Sequence, residues 1–383
     1  TLSGFTVTGG TATSGAGVRI DGSGATLRGL VVAGNGCSGT SCRAPGIAVE
    51  GGTALIEDVV VEDNTVDMTD SEGNTMGGGL GGGYAQLDLV DVVVRGNTLR
   101  SAGGAFAGGL LLLQSEVTAT NLQVTANEII ADGNGWGGGI GLEGGSLDAA
   151  EVTVSDNTVT SLNAYGAGVY ANSGELWLVD GTVSGNHGVG TLEAHGGGAY
   201  GVGSAIGALG LTIEDNTCVA AESAFGAGIR ATINDESAGG VLLDDVLIAG
   251  NTSESDDDAF GALSVNEVPM EATWVTVQDN TTHGADNWGA GWHEHGSDGG
   301  RSHIRIIGNV ATGASVDVAG MRLAGDSAPE FHNLIVAGNR TESEGGAGGG
   351  GVLIDRSSAA ILNNATITGN HASGTQVLGV GVQ

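Results

Sequence analysis

Aromatic and histidine side chains are concentrated in one stretch, which makes it the best candidate in this chain for ligand binding. Trp288, Trp292, His293 and His295 all lie there. Alternation along a strand would place His293 and His295 on one face, with Trp292 pointing inward. Two histidines at that spacing can form half of a zinc site, but the remaining ligands cannot be identified. We therefore predict a ligand-binding face formed by these four residues, with ordinary surface histidines as the alternative.

Acidic residues occur in two patterns that suit calcium. Asp256, Asp257 and Asp258 are consecutive in one loop, whereas Asp58 and Asp91 occupy the same place in neighbouring repeats. Stacked carboxylates repel each other unless a cation, a proton or a hydrogen bond intervenes. Calcium takes about six to eight oxygen ligands. We predict that Ca²⁺ binds at these residues; the alternatives are a solvated acidic loop at the three consecutive residues and a polar turn residue at the other two.

Catalysis would need residues that this sequence offers sparingly. A polysaccharide lyase needs an Arg or Lys base beside a carboxylate-bound cation, and a glycoside hydrolase needs two carboxylates at a defined separation. The candidate arginines are Arg95, one repeat after Glu62, and Arg301 and Arg305 near His303. None of them belongs to an acidic cluster in neighbouring repeats. No catalytic residue is therefore predicted, and a polysaccharide-degrading enzyme is kept as the alternative.

A repeat that runs through the whole chain must position all these residues. Each copy ends in an asparagine with an aliphatic residue three positions before it, and successive asparagines are 29 to 35 residues apart. The asparagines are Asn35, Asn64, Asn97, Asn127, Asn157, Asn186, Asn216, Asn251, Asn280, Asn309, Asn339 and Asn370. Asparagine tolerates the left-handed backbone of a tight bend, and stacked amides can hydrogen-bond from copy to copy. We predict a structural asparagine ladder.

Each repeat contains three segments that favour short strands. One has aliphatic residues five and three positions before the asparagine, and a second lies eight and ten positions before it, as at Leu87 and Leu89. The two are out of phase by one residue, so the chain must bend between them. A polar loop after the asparagine leads to a glycine-rich third strand. A steady period with short strands predicts an all-β parallel solenoid whose coils stack about 4.8 Å apart.

A second column of mostly aromatic residues precedes the glycine-rich strands by one position. Its members are Phe106, Trp136, Tyr165, His195, Phe225, Phe260 and Trp288. Each ring lies two positions before a small residue, and an even spacing along a strand places both side chains on the same face. This favours an aromatic stack inside the solenoid. The alternative is an outward aromatic strip that contacts sugar rings.

Composition narrows the possible partners and the domain organisation. The chain has 383 residues, 75 of them glycine, and a net charge of −33; all 11 basic residues are arginine. Such a surface argues against nucleic acid, which needs phosphate-neutralising cations, and against anionic membranes. A solenoid forms one continuous core however long it is, so residues 1–383 are predicted to be a single β-helix domain. Neither end has a polar cap, which suggests the middle of a longer chain or ends that stack on a partner.

The three cysteines are consistent with an oxidising compartment. Cys37 and Cys42 lie close enough in one loop to form a disulfide. Cys218 falls at a position that is aliphatic in other copies, so we expect a buried thiol. A local disulfide favours an extracellular location.

Glycine-rich segments that end in an aliphatic residue alternate with segments of the form aliphatic-x-x-Asn. Examples are Gly137 to Ile140 with Val154 to Asn157, and Gly348 to Val352 with Ile367 to Asn370. In this alternation the chain resembles bacterial right-handed β-helix repeat proteins, and it is similar to polymorphic outer-membrane protein repeats and to choice-of-anchor surface proteins. The resemblance implies a single-stranded right-handed parallel β-helix, of about 12–13 coils with three short strands each. It also implies secretion, surface display and adhesion or scaffolding.

These features favour a non-enzymatic β-solenoid that is secreted or displayed on a bacterial surface as an adhesin, stalk or fibre subunit. The expected partner is a protein or glycan surface, or another copy stacked end to end. Contact with a membrane is expected only through an anchor outside this sequence. The alternative is a β-helix that binds or degrades polysaccharide as a lyase or hydrolase.

Overall fold

Every regular element in the described part of the chain is a β-strand. The computed structural model describes residues 1–22, 24–38, 42–70, 73, 75–234, 239–355 and 358–383. By its internal contacts the chain divides into two compact units, Thr1–Gly190 and Thr191–Gln383. Each unit is a parallel β-solenoid, which confirms the predicted fold class. The single-domain organisation stays a prediction.

Most of these strands have two to five residues, and the longest ones cross two left-handed corners, as Leu110–Thr125 does at Gln114 and Asn121. Those that begin in the first unit are Leu2–Ser3, Thr6–Thr8, Val18–Asp21, Ala25–Ala33, Gly36–Ser38, Ile47–Glu50, Thr53–Glu62, Thr65–Met68, Thr75–Met76, Leu80–Gly83, Gln86–Arg95, Thr98–Ser101, Ala105–Phe106, Leu110–Thr125, Glu128–Ala131, Gly135–Trp136, Ile140–Ser155, Thr158–Tyr165, Val169–Asn172, Glu175–Ser184 and His187–His195. Those that begin in the second unit are Ala199–Val202, Ala205–Glu214, Thr217–Ala220, Ser223–Phe225, Ile229–Thr232, Gly240–Asp244, Leu247–Ala249, Thr252–Ser255, Asp258–Ala259, Leu263–Asn266, Met270–Thr273, Thr276–Gln278, Thr281–Asn287, Trp292–His295, Gly300–Ile307, Val310–Val318, Met321–Ala324, Glu330–Ala337, Arg340–Ser343, Gly346–Gly349, Val352–Ile354, Ile361–Thr368, His371–Ser373 and Gln376–Val377.

Strands pair in parallel with the equivalent strand one coil away, so equivalent side chains form columns. In the first unit one such column contains Ile47, Leu80, Leu110, Ile140 and Val169. All five side chains are fully buried. The repeating aliphatic pattern of the sequence therefore becomes a continuous apolar interior within the unit.

The predicted phase slip is a corner at which one residue adopts a left-handed backbone. Asp58, Asp91 and Glu151 occupy this corner with φ near 54°. One left-handed residue turns the chain and exchanges the inward and outward faces. A second left-handed corner lies at the residue just before each ladder asparagine, as at Asp63 and Ala126. The asparagines themselves are therefore not the left-handed residues, and that part of the sequence prediction was wrong.

The segment after the asparagine differs from the expected polar loop because it begins with a strand. Thr98–Ser101 pairs with Thr65–Met68 on one side and with Glu128–Ala131 on the other. Its first inward residue is apolar, and Leu99 and Ile129 at this place are completely buried. The burial of these side chains explains why the segment is ordered. The residues after this strand form one variable part of the coil.

The asparagine ladder is present, and amides inside it, such as that of Asn64, use all their donors and acceptors. Asn64 Oδ1 accepts from the backbone N–H and from Nδ2 of Asn35, both at 3.0 Å. Asn64 Nδ2 donates to Asn97 Oδ1 at 2.9 Å and to the carbonyl of Val32 at 3.0 Å. An amide side chain has two donor hydrogens and two acceptor lone pairs, so none is left unused although Asn64 is fully buried.

The same pattern runs through the other asparagines that were predicted. In the first unit it continues through Asn97, Asn127, Asn157 and Asn186. In the second unit it starts at Asn216 and passes through Asn251, Asn280, Asn309 and Asn339 to Asn370. The ladder therefore serves structure in both units.

The cysteines are arranged as the sequence indicated. Cys37 and Cys42 are joined by a disulfide, with their Cα atoms 5.9 Å apart. Cys218 is fully buried as a free thiol, and burial raises the pKa of this thiol to about 12. A thiol with so high a pKa is an inert apolar filler rather than a nucleophile.

Candidate functional site

In the second unit, one strand of each coil carries an outward column of polar side chains. The residues Arg230, Ser264, His293 and Arg322 are in register in four successive coils. Their neighbours toward the chain start, such as Trp292, point into the core. The four outward residues are nevertheless buried, with exposed fractions from 0 to 9 %. Something outside the solenoid must cover them.

The cover is the aromatic column. Phe225 and Phe260 stack with centroids 4.3 Å apart, and Phe260 and Trp288 stack at 5.9 Å. The inward residues at this place are the ones before the rings, and Ala224 and Ala259 are fully buried. The rings therefore stack outside the solenoid, and the interpretation as an internal aromatic stack was wrong.

The physical reason, at most rings of the column, is a left-handed residue directly after the ring. Gly226 has φ +57°, and a Cβ there would lie 2.5 Å from the carbonyl oxygen of Ile229. A left-handed residue exchanges the inward and outward faces of the chain. Counting alternate residues across it therefore assigns the ring to the wrong face. Gly137 and Gly166 have the same geometry in the first unit, where Trp136 and Tyr165 stack at 6.1 Å.

Between the ring column and the polar column lies a cleft of about 330 Å³. Phe225, Phe260 and Trp288 form one wall, and Arg230, Asn266, His293, His295 and Arg322 form the floor and the other wall. We call this the cationic cleft. A larger depression of about 750 Å³ lies in the first unit along Thr53, Gln86 and Glu116. We favour the cationic cleft because buried charges and rings converge in it, whereas Thr53, Gln86 and Glu116 in the larger depression are exposed strand residues.

A hydrogen-bond network crosses the floor of the cleft from coil to coil. Arg230 Nη1 donates to Ser264 Oγ at 2.5 Å, and Ser264 Oγ lies 3.4 Å from His293 Nδ1. Arg322 Nη1 lies 3.0 Å from His293 Nε2, and Arg322 Nε donates to Asp317 at 2.9 Å. Because a guanidinium can only donate, His293 Nε2 must accept and the ring proton must sit on Nδ1. His293 is therefore neutral.

The protonation of His293 is controlled by its surroundings. Burial holds the pKa of His293 well below its usual 6.5, and the charges of Arg322 and Arg230 and the neighbouring His295 lower it further. The same burial lowers the pKa of Arg230. Both shifts show that the floor of the cleft resists additional positive charge.

The two arginines of the cleft differ in their counter-charges. Arg322 forms an ion pair with Asp317 and a longer one of 3.9 Å with Asp355. Arg230 has no carboxylate within 4.0 Å among the described residues, and Glu193 acts on it only from further away. Arg230 Nε is also buried without a hydrogen-bond partner in the described chain. The cleft thus contains one guanidinium whose charge is not locally balanced.

Three of the four predicted ligand-binding residues meet in this cleft, and one does not. Trp288, His293 and His295 line it. Trp292 lies in the core, where its Nε1 donates to Glu294 Oε1 at 2.6 Å. Glu294 in turn forms a fully buried ion pair with Arg301 at 2.8 Å. Arg301, considered above as a catalytic candidate, is therefore a core residue.

Other cleft residues were missed from the sequence. Arg230, Asn266 and Arg322 lie in other coils, and only the coil register brings them beside His293. A signal was available, because arginine is scarce in this chain and three of its copies, Arg19, Arg230 and Arg322, follow an apolar residue after the sequence Ala-Gly.

One of the predicted calcium positions becomes a cluster across two coils. Carboxylate oxygens of Asp257, Asp258 and Asp286 lie within 4.8 Å of one another. Asp286 could not be identified from the sequence, because it lies in the next coil and only the pairing register brings it beside Asp258. Asp256 is not part of the cluster. Asp258 Oδ1 also accepts from Trp288 Nε1 at 3.1 Å. Calcium binding here stays a prediction, since exposed acidic groups often cluster without an ion.

At the other predicted calcium positions the carboxylates serve a corner. Asp58 and Asp91 both have left-handed backbones in adjacent coils. Asn121, one coil further on, donates from Nδ2 to Asp91 Oδ1 at 2.7 Å, so the Asp91 carboxylate is stabilised by a hydrogen bond from the side away from Asp58. This geometry agrees with the turn interpretation. The catalytic candidate Arg95 forms an exposed ion pair with Glu62 at 2.6 Å.

Comparison with known proteins supports the fold and does not indicate an activity. The family model described as right handed beta helix region matches residues 1–183, just under half of the chain. That family includes both enzymes and proteins without enzymatic activity. No curated protein and no solved structure matches the chain significantly. In the described residues no helix has the length and apolarity needed to cross a bilayer.

Proposed function

We propose that this chain is a non-enzymatic β-solenoid that acts outside a bacterial cell as an adhesin, stalk or scaffold module and binds a glycan through the cationic cleft. The observation that supports binding is the convergence of Trp288, Phe260 and Arg230 on one cleft of ligand size. Binding pockets combine apolar and aromatic lining with a few placed polar groups. The cleft has this composition.

The lining of the cleft argues against hydrolysis. Retaining and inverting glycosidases both place two carboxylates across the scissile bond. The residues that line the cleft, all within the described chain, include no Asp or Glu. The lone pair on His293 Nε2 is also occupied by Arg322, so this histidine is a poor base.

A β-eliminating lyase is the second candidate. The observation that favours it is His295, which lines the same cleft as Arg230 and whose Nδ1 has no hydrogen-bond partner in the described residues. An unpartnered imidazole nitrogen can accept a proton from a carbon beside a neutralised carboxylate. This candidate requires turnover, so it can be separated from pure binding.

The test is a sedimentation assay of the whole chain with insoluble or cross-linked polysaccharides, acidic and neutral, together with the ultraviolet absorbance of the soluble fraction. We expect retention on at least one polysaccharide and no absorbance from an unsaturated uronate. Retention on none of them would refute glycan binding. Growth of the unsaturated product would replace the non-enzymatic proposal with the lyase.

A further inference from the structure

The cationic cleft has features that specify the charge of its ligand. We infer that it binds a single carboxylate carried by a sugar ring, and that Arg230 is the residue that receives the carboxylate. This inference rests on the proposed binding role of the cleft and adds the chemical class of the ligand.

The first support is the unbalanced charge of Arg230. Its Nη1 donates to Ser264, whereas its Nε is buried and has no partner among the described residues. A buried donor without a partner is costly, and more so on a charged group. A carboxylate bound against the Arg230 guanidinium, in the cleft that this residue lines, would supply the missing negative charge. The site is thus complete only when an anion is present.

The second support is that the rest of the floor is already neutral. Arg322 is balanced by Asp317, and His293 is held as neutral imidazole between Arg322 and Ser264. One positive charge therefore remains for the ligand. A monoanion such as a carboxylate matches it, whereas a phosphate dianion would leave one buried negative charge unpaired.

The third support is the orientation of the aromatic wall. The interplanar angles are 21° between Phe225 and Phe260 and 11° between Phe260 and Trp288, so the rings cover one another's faces. The guanidinium carbon of Arg322 lies 4.7 Å from the Trp288 ring centroid and adds a cation to the stack. The guanidinium carbon of Arg230 likewise lies 4.8 Å from the Phe225 ring centroid, so two cations are packed against this wall. Such a wall tolerates an anion.

The size and remaining groups of the cleft fit a sugar ring. Its volume of about 330 Å³ lies at the lower end of the usual range for small ligands, about 300–1,000 Å³. Asn266 offers an amide, and His295 Nδ1 is a buried ring nitrogen without a partner in the described chain. Both can hydrogen-bond sugar hydroxyls.

The first unit contains a cleft at the corresponding place with the opposite electrostatics. It has about 210 Å³ and is lined by Phe106, Trp136 and Tyr170 together with Glu143 and Asn172. Glu143 accepts from Asn172 Nδ2 at 2.9 Å. No arginine lines this cleft among the described residues. Carboxylate binding is therefore expected in the second unit alone.

The experiment titrates the whole chain with galacturonate, galactose, acetate and inorganic phosphate, using calorimetry and tryptophan fluorescence. We expect galacturonate to bind about tenfold or more tightly than galactose, because a charged hydrogen bond is lost with the neutral sugar. We expect acetate and phosphate to bind more weakly than galacturonate. Equal binding of galactose would refute the role of the carboxylate, and equal binding of acetate would refute the sugar ring.

Variants assign the binding to Arg230. R230Q is expected to weaken galacturonate binding about tenfold or more, and R230K to weaken it less. The control R95Q removes an exposed arginine of the first unit and should leave binding unchanged. If R230Q fails to fold, the comparison of galacturonate with galactose on the natural chain still decides the question. Polysaccharide retention that persists in a folded R230Q would refute this inference while leaving the proposed function in place.

Discussion

At the scale of single residues, the ladder asparagine shows why one residue type recurs at each coil. Only an amide of this length can accept twice from one neighbouring coil and donate to the next ladder amide and to a main-chain carbonyl. Asparagine was expected for its tolerance of left-handed angles as well, but the left-handed corner is one residue earlier, at Asp63, Ala126 or Asp156. The amide geometry alone therefore requires asparagine.

Removing one ladder amide should destabilise the first unit strongly. N127A leaves the backbone N–H and Nδ2 of Asn97, the carbonyl of Val94 and Oδ1 of Asn157 short of partners. We expect a loss of about 2–4 kcal/mol in the free energy of unfolding. N127D should be no better, because it removes both donors and buries a charge. Urea denaturation measures the loss.

The control for this prediction is Q123A, which removes an exposed amide from the same coil. It should change the free energy of unfolding by less than about 0.5 kcal/mol. If N127A were as mild as Q123A, the ladder would contribute little to stability.

Protonation of His293 should make the second unit sensitive to acid. The pKa of His293 is lowered in the folded state, so between that value and 6.5 the unfolded chain binds more protons than the folded one. The contribution of His293 to stability is complete above about pH 6.5 and declines as the pH falls below it. We expect the melting temperature of H293Q to fall less between pH 7.5 and pH 5.5 than that of the natural chain. The exposed His332 supplies the control H332Q, which should retain the natural slope; equal slopes for H293Q and H332Q would contradict the prediction.

The candidate site could be predicted from the sequence only in part. Trp288, His293 and His295 stand out because they are close together along the chain. Arg230 and Asp286 do not, since each joins its site through pairing between coils about thirty residues apart. Composition locates such a site, but the register between coils completes it.

At the scale of the strand and its corners, one left-handed residue decides which side chains face inward. The corner at Asp58, Asp91 and Glu151 was visible as a phase slip, and the strands on both sides were assigned correctly. The corner after Phe225 was not visible, because glycine is common throughout this chain and its left-handed copies look like the others. The aromatic column was therefore placed on the wrong side.

Relieving a strained corner should stabilise the first unit. Glu151 has φ 55°, a conformation that costs most residues about 1–2 kcal/mol and asparagine less. It also lies in register with Asp180 of the next coil, another carboxylate. We expect E151N to raise the free energy of unfolding by about 0.5–1 kcal/mol. Thermal and urea denaturation measure the gain.

The matched control is D148N, which removes one negative charge from an exposed residue of the same strand without touching a left-handed position. A smaller gain in D148N would assign the effect to the corner. An equal gain in both variants would assign it to charge alone.

At the scale of the whole molecule, the repeat period of the sequence predicted the architecture but not the function. Regular spacing of the asparagines and aliphatic residues is a property of each coil, so it could be read from the sequence alone. The strand Thr98–Ser101 was missed because its outward residues are polar and only Leu99 and Ser101 are buried. Activity depends on a few outward side chains that the repeat does not constrain.

The net charge of −33 should make stability depend on salt. Like charges repel in the compact chain, and ions screen that repulsion over about 10 Å at 0.1 M. We expect the melting temperature to rise with sodium chloride.

If the calcium prediction is right, calcium chloride at equal ionic strength should raise the melting temperature further, and D286N should remove only this additional increase. An identical response to magnesium and calcium, or an increment retained in D286N, would contradict calcium binding at Asp257, Asp258 and Asp286.

The amides of the ladder all point the same way within each unit. The oxygen of Asn97 faces Asn64, and its nitrogen faces Asn127. Stacking is therefore directional: a coil added in the opposite sense would set carbonyl against carbonyl or amine against amine. Such a ladder can gain or lose whole coils, but it cannot include a coil of opposite direction. Duplication of one repeat in the gene would therefore preserve the ladder, whereas two solenoids joined head to head could not share one.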